Sequence, residues 1–284
     1  MNTTTIRVTA DSTCDLSPEL LAQYGVETLP LYILHDGVEH RDGVDITPDG
    51  LYEKVRASGK LGSTAAVNVD DYLAFFSRLR ETCETVIHFT ISSEMSSCCQ
   101  NARIAAAEVG GVHVIDSRSL STGIGLQVLR ACELARKGVA AEEIAAEITA
   151  MAGRVDASFV PDKLEYLKMG GRCSAAAALS ATLLRIHPCI QVREGVMGVG
   201  KKYTGSHENV LMKYVKDRLA KLEEVDLSRV FITHSGMSDP VLVDKVKDAV
   251  LAIAPFEEVL VTRAGCTISN HCGPDTLGVL FCRK

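Results

Sequence analysis

Three apolar runs in the first 120 residues stop in the same way. "IRVTADSTC", "TVIHFTISSEMSS" and "VHVIDSRSLSTG" each end in a cluster of small polar residues, and a helical pattern follows each of them. Short runs rich in Val, Ile and Thr read as buried strands. Strands that alternate with helices imply a mostly parallel sheet covered on both faces. Ligands of such sheets bind beyond the carboxyl ends of the strands, so the three polar clusters are expected along one edge. Ser, Thr and Asp are also ordinary helix caps, the simpler account of any single cluster, but their recurrence points to a shared site.

The strongest of the three is "TISSEMSSCCQNA", where a strand end feeds a helix start through Ser92, Ser93, Ser96 and Ser97. Free N–H groups and the positive end of a helix dipole make such a junction a seat for an anion. Elsewhere the punctuation is local. Ser17, Pro18 and Glu19 open a helix that Gly25 closes. Asp36-Gly37 and Asp42-Gly43 mark turns. A long helix is expected from about Leu120 to Lys137. From Val155 the texture changes, and the tail "FEEVLVTRAGCTISNHCGPDTLGVLFCRK" reads as strand, glycine-rich loop, strand. A chain of 284 residues is long for one core. The expected architecture is therefore two α/β domains divided near Asp156, residues 1–156 and 157–284.

Composition excludes several functions. A net charge of −6 and 5% aromatic residues argue against a nucleic-acid partner, which needs a basic face and stacking platforms. The first residues lack a basic region followed by an apolar core, and "CSAAAALSATLL" is too short to span a bilayer, so a cytoplasmic protein is expected. The 10 Cys form no CxxC pair and are expected as reduced thiols. GxxxxGK[ST], GxGxxG, HExxH and GxSxG are all absent. No metal, cofactor or catalytic nucleophile is expected, and the balance favours binding over catalysis.

Two further motifs stand out. "KMGGRCS" breaks a helix at Gly170-Gly171 and presents Arg172. Paired glycines allow close backbone approach and left-handed geometry, and Arg suits bidentate contact with a carboxylate or phosphate. "NHCGPDTLG" places His271 in a loop bounded by Gly and Pro, where it could donate a hydrogen bond or handle a proton. A solvated arginine and a structural histidine are the plainer readings of each motif taken alone. His88, within a strand, and His187, before Pro188, are weaker candidates.

In order along the chain, "DSTCDL", "GSTAAVNVDDY", "TISSEMSSCCQNA", "VIDSRSLSTGIG", "LEYLKMGGRCS" and "SNHCGPDTLGV" resemble the DegV family, the bacterial fatty-acid-binding proteins. The resemblance covers nearly the whole chain. It implies a two-domain α/β protein that buries a long-chain fatty acid with its carboxylate at the domain junction. It implies further that a separate ATP-binding fatty acid kinase subunit converts that carboxylate to an acyl phosphate for phospholipid metabolism, with room for transient membrane contact. Carried over by motif, the head-group residues fall on Thr64, on Ser93 with its neighbour Ser92, and on His271. Arg172 falls on a position expected to meet the kinase or the phosphoryl group, and Lys202, beside Lys201, on a looser basic position facing the kinase. The chain departs from the family pattern at Ala65, Glu94, Ser97, Cys98, Cys99 and Asp275. Glu94 is expected to point away, because a carboxylate beside a carboxylate is unfavourable. The competing readings are an enzyme acting on a small carboxylated or phosphorylated metabolite with His271 as acid or base, and a pure protein-interaction module.

Overall fold

The computed structural model describes residues 5–174 and 186–284. Strands β1 (Ile6–Asp11), β2 (Glu27–Leu29), β6 (Thr85–Thr90) and β7 (Val112–Asp116) form a four-stranded parallel sheet in the order β2-β1-β6-β7. Because all four run the same way, the polar ends of β1, β6 and β7 share one edge. Two packed helix pairs flank this sheet, α3 (Val69–Arg80) with α4 (Cys98–Val109) and α5 (Thr122–Arg136) with α6 (Ala141–Ala152). β6 is buried along nearly its full length, as a strand covered on both faces must be.

The extended stretch after α1 (Pro18–Tyr24) serves two sheets. β2 joins the parallel sheet, whereas β3 (Tyr32–His35) pairs with β4 (Val38–Arg41) and β5 (Ser63–Ala65) in a small antiparallel sheet. Helix α2 (Pro48–Ser58) sits beside it.

The third sheet takes strands from the rest of the chain. They are β8 (Val155–Asp156), β9 (Ser158–Val160), β10 (Ile186–Arg193), β11 (Val196–Thr204), β12 (Val225–His234), β13 (Glu258–Arg263) and β14 (Leu277–Arg283). Their order is β11-β10-β9-β14-β12-β13, with β8 also on β14, and only β12–β13 is a parallel pair. The remaining α-helices among the described residues are α7 (Glu165–Gly170), α8 (His207–Arg218), α9 (Val241–Ile253) and α10 (Cys266–Cys272).

Helix α5 joins the two large sheets. It contacts β1 and β6 on one side and β8, β12 and β14 on the other. Eleven of its fifteen residues are buried, too many for a helix with one face in water. Gly125 makes the close approach feasible, since a Cβ there would lie 2.9 Å from the Leu16 side chain. One hydrophobic core therefore runs from Phe76 and Phe89 through Ile124 to Phe159, Phe231 and Leu280. A second core lies between α8, α9 and the outer face of the third sheet, around Tyr214, Val230 and Phe281.

Candidate functional site

A cavity opens where the three sheets meet. Its wall is mainly apolar, with Leu31, Ile91, Leu167, Phe159, Met197 and Leu280 drawn from all parts of the chain. Polar side chains make up a small part of its exposed surface, among them Thr64, Ser96, Ser121, His234, Ser235, His271 and Arg172. An apolar wall with a few convergent polar groups is the usual form of a small-molecule site.

Thr64 and His271 form the centre of the polar end. Strand β5 holds Thr64 opposite Ile33, and α10 carries His271 in its last turn. The Thr64 hydroxyl lies 2.8 Å from His271 Nε2. Burial, and then the Arg172 charge beside it, lowers the His271 pKa to about 4. The ring is therefore neutral at pH 7. With its Nε2 protonated it donates to Thr64 Oγ1 and leaves the threonine proton to point at a ligand. Arg172 is exposed at the rim, where its Nη1 donates to the Gly170 carbonyl at 3.1 Å. The two glycines before it have separate roles. Gly171 takes the left-handed conformation at φ 67° that ends α7. At Gly170 any Cβ would stand 2.3 Å from His271 Nδ1, so only glycine lets the ring approach.

His271 sits on a helix, not in the loop expected from the sequence. The helix starts without a local cap because its cap comes from afar. Asp42 accepts from Cys266 N–H at 2.7 Å and from Thr267 N–H at 3.0 Å. The same carboxylate accepts from Ser12 Oγ at 3.0 Å. Just before the helix, Asp15 accepts from Gly265 N–H at 2.8 Å and from Ser121 Oγ at 2.5 Å. Burial pushes the Asp15 pKa well above its ordinary value. Ser121 pays for this contact with a strained backbone, φ 54° and ψ −144°.

The β6–α4 loop is arranged differently from the expectation. Ser93 is exposed and turned from the cavity, donating through its hydroxyl to Asp116 at 2.5 Å while its N–H donates to the same carboxylate at 3.1 Å. Ser92 is fully buried, and its hydroxyl donates to the Gly195 carbonyl in the β10–β11 turn at 2.7 Å. Neither hydroxyl is free for a ligand. The serine of this loop that lines the cavity is Ser96, three residues further on. It belonged to the same hydroxyl-rich stretch, but sequence alone does not say which way each turn residue faces. Glu94 points off the cavity wall, 3.5 Å from Arg118 Nη1. Burial raises the Cys98 thiol to about 12, the reverse of the lowering that a helix start can give. All ten cysteines are buried and unbridged. Lys202 lies exposed on β11 opposite Pro188, outside the cavity wall, and its neighbour Lys201 pairs with Asp217 at 2.6 Å. The small-residue run "SAAAALSATLL", considered for a tunnel wall, lies almost wholly outside the described residues.

The model of an uncharacterised protein family, DegV, matches residues 5–284. The chain belongs to the DegV family. A DegV domain-containing protein of Deinococcus radiodurans is 33% identical, over 96% of this chain and 97% of its own. Among solved structures, a DegV family protein from Thermus thermophilus, described for its fatty acid binding, is 32% identical with a TM-score of 0.91, covering 99% of this chain and 100% of its own. DegV of Bacillus subtilis, described as a fatty acid binding protein, is 25% identical with a TM-score of 0.85 over 99% and 100% of the two chains. A stearic acid-binding protein from Eubacterium ventriosum also shares 25% identity, with a TM-score of 0.85 over 98% of each chain. No helix among the described residues is long and apolar enough to cross a membrane.

Proposed function

We propose that this DegV protein binds a long-chain fatty acid between two lobes, residues 1–156 and 157–284. The carboxylate is held at Thr64 and His271, the tail lies along the apolar wall, and a separate ATP-binding kinase subunit phosphorylates the carboxylate. The observation that carries the reading is the cavity itself, an apolar wall that ends in the Thr64–His271 pair. Burying about 14 methylenes at about 0.8 kcal/mol each supplies on the order of 11 kcal/mol before entropy losses. The head group then needs only neutral donors, and Thr64 with a neutral His271 provides them. A carboxylate held this way keeps the electron density it needs to attack a phosphoryl group. The exposure of Arg172 at the rim supports a role for it in meeting the transferring phosphoryl group or the kinase.

The enzyme reading gains nothing from the geometry. A histidine whose pKa is about 4 is a weak base at neutral pH, and its Nε2 is engaged with Thr64. Two substitutions test the assignment. Thr64→Val keeps the shape and removes the hydroxyl, so affinity for a fluorescent fatty acid is expected to fall about tenfold. Arg172→Ala is expected to leave that affinity unchanged and to lower acyl-phosphate formation with the kinase. Loss of lipid binding in Arg172→Ala would overturn this division of roles.

A further inference from the structure

Away from the cavity, Asp162, His187 and His207 converge from the loop after β9, the start of β10 and the first residue of α8. One ligand-type atom from each lies within 4.8 Å of the other two. Asp162 Oδ1 stands 3.5 Å from His207 Nδ1, and the two rings are tilted by 52° with centroids 5.7 Å apart. Nδ1 of His187 is shielded from solvent without a hydrogen-bond partner, and both nitrogens of His207 are shielded as well, with the Asp275 backbone beside that ring. Buried polar atoms are seldom left unpartnered, and here one ligand-type atom from each ring lies within reach of the Asp162 carboxylate. The other acid facing His207 is Asp275. Its carboxylate is committed to Ser238, accepting from the N–H at 2.6 Å and from Oγ at 2.7 Å.

We propose that Asp162, His187 and His207 bind a divalent transition metal of the zinc class. Two imidazoles and one carboxylate suit such ions, with a fourth position left for water. Hard cations such as calcium and magnesium prefer all-oxygen sets and fit poorly. Bonds of about 2.0–2.2 Å put the ligands of a tetrahedral centre about 3.4 Å apart, close to the Asp162–His207 separation. Asp162 and His187 bracket the chain segment that carries Arg172, so the metal clasps the two ends of that segment to α8. This proposal departs from the sequence expectation of no metal site. The ligands are too widely spaced along the chain to form a short motif, and strand pairing alone brings them together.

The test uses the full chain after chelator treatment, titrated with zinc chloride alone by calorimetry and with cobalt(II) chloride alone by visible absorption. The expected result is one metal per chain with micromolar or tighter affinity. Asp162→Asn and His207→Asn are each expected to weaken zinc binding at least tenfold with unchanged far-ultraviolet circular dichroism. His113→Asn, at the separate His113–Glu142 pair, is expected to leave it unchanged. Should His207→Asn fail to fold, the near-isosteric Asp162→Asn decides alone. Absence of saturable binding, or binding that survives Asp162→Asn undiminished, overturns the proposal.

Discussion

A carboxylate held by neutral donors stays nucleophilic, whereas one locked in an ion pair does not, and the residues at the cavity end fit the first condition. Thr64 and a neutral His271 supply hydrogen bonds without charge, and Glu94 is turned out to Arg118. The orientation of the serines makes a sharp prediction. Ser96→Ala is expected to weaken fatty-acid binding several-fold, because its hydroxyl donates only to the weak acceptor Cys98 Sγ and can turn to a carboxylate, while Ser93→Ala changes it by less than about twofold because that hydroxyl serves Asp116. Equilibrium binding of a fluorescent fatty acid to the two variants checks this. Buried histidines also set a pH dependence. His271 is lowered to about 4, and His88, among Tyr72, Phe75 and Phe76, is lowered by burial to about 3. Between pH 6.5 and these values the unfolded chain takes up protons that the folded chain refuses, so both make stability fall as pH falls. Asp11, raised by burial to about 6, acts the opposite way between its ordinary value and 6. There the folded chain keeps a proton that the unfolded chain has lost, and its contribution falls as pH rises. In lipid-free protein, His271→Asn is expected to reduce the loss of stability between pH 6 and pH 5 by about 1 kcal/mol, measured by urea unfolding.

Individual elements were legible where their signals are local. Ser17 caps α1 by accepting from Leu20 N–H, and Gly25 ends it at φ 68°. Asp36 and Gly37, at φ 47° and 79°, make the two-residue turn that joins β3 to β4. Helix α10 was illegible for the converse reason. Its seven residues are too few to persist alone, and its cap, Asp42, lies 224 residues from the first N–H it accepts. Asp42→Ala is therefore expected to cost about 2 kcal/mol or more, seen in urea unfolding, and to speed hydrogen exchange at residues 266–272. The departure at Asp275 has a similar explanation. That residue adopts φ 57°, where glycine is the easy choice. Two hydrogen bonds from Ser238 to its carboxylate stabilise the turn with an aspartate in place.

For the molecule as a whole, the sequence foretold a parallel sheet with its polar strand ends on one edge, and β1, β6 and β7 meet that expectation. It did not foretell where those polar ends would point. Most bond to one another, as Asp11 does to Ile91 N–H and Asp116 to Ser93, and only Ser96 and Ser121 reach the cavity from these loops. The cavity wall draws on all three sheets, and which strands adjoin is a property of long-range pairing that periodicity does not encode. Contacts across the large sheets hold that wall together. Ser92 reaches Gly195, and the Thr122 and Thr233 hydroxyls lie 2.6 Å apart in the interior. The central claim is that the cavity holds a fatty acid. Mass spectrometry of an organic extract of the purified protein, alongside its native mass, tests it most directly. The account predicts one long-chain fatty acid per chain. A protein that is free of lipid, and stays free after incubation with long-chain fatty acids, would contradict it.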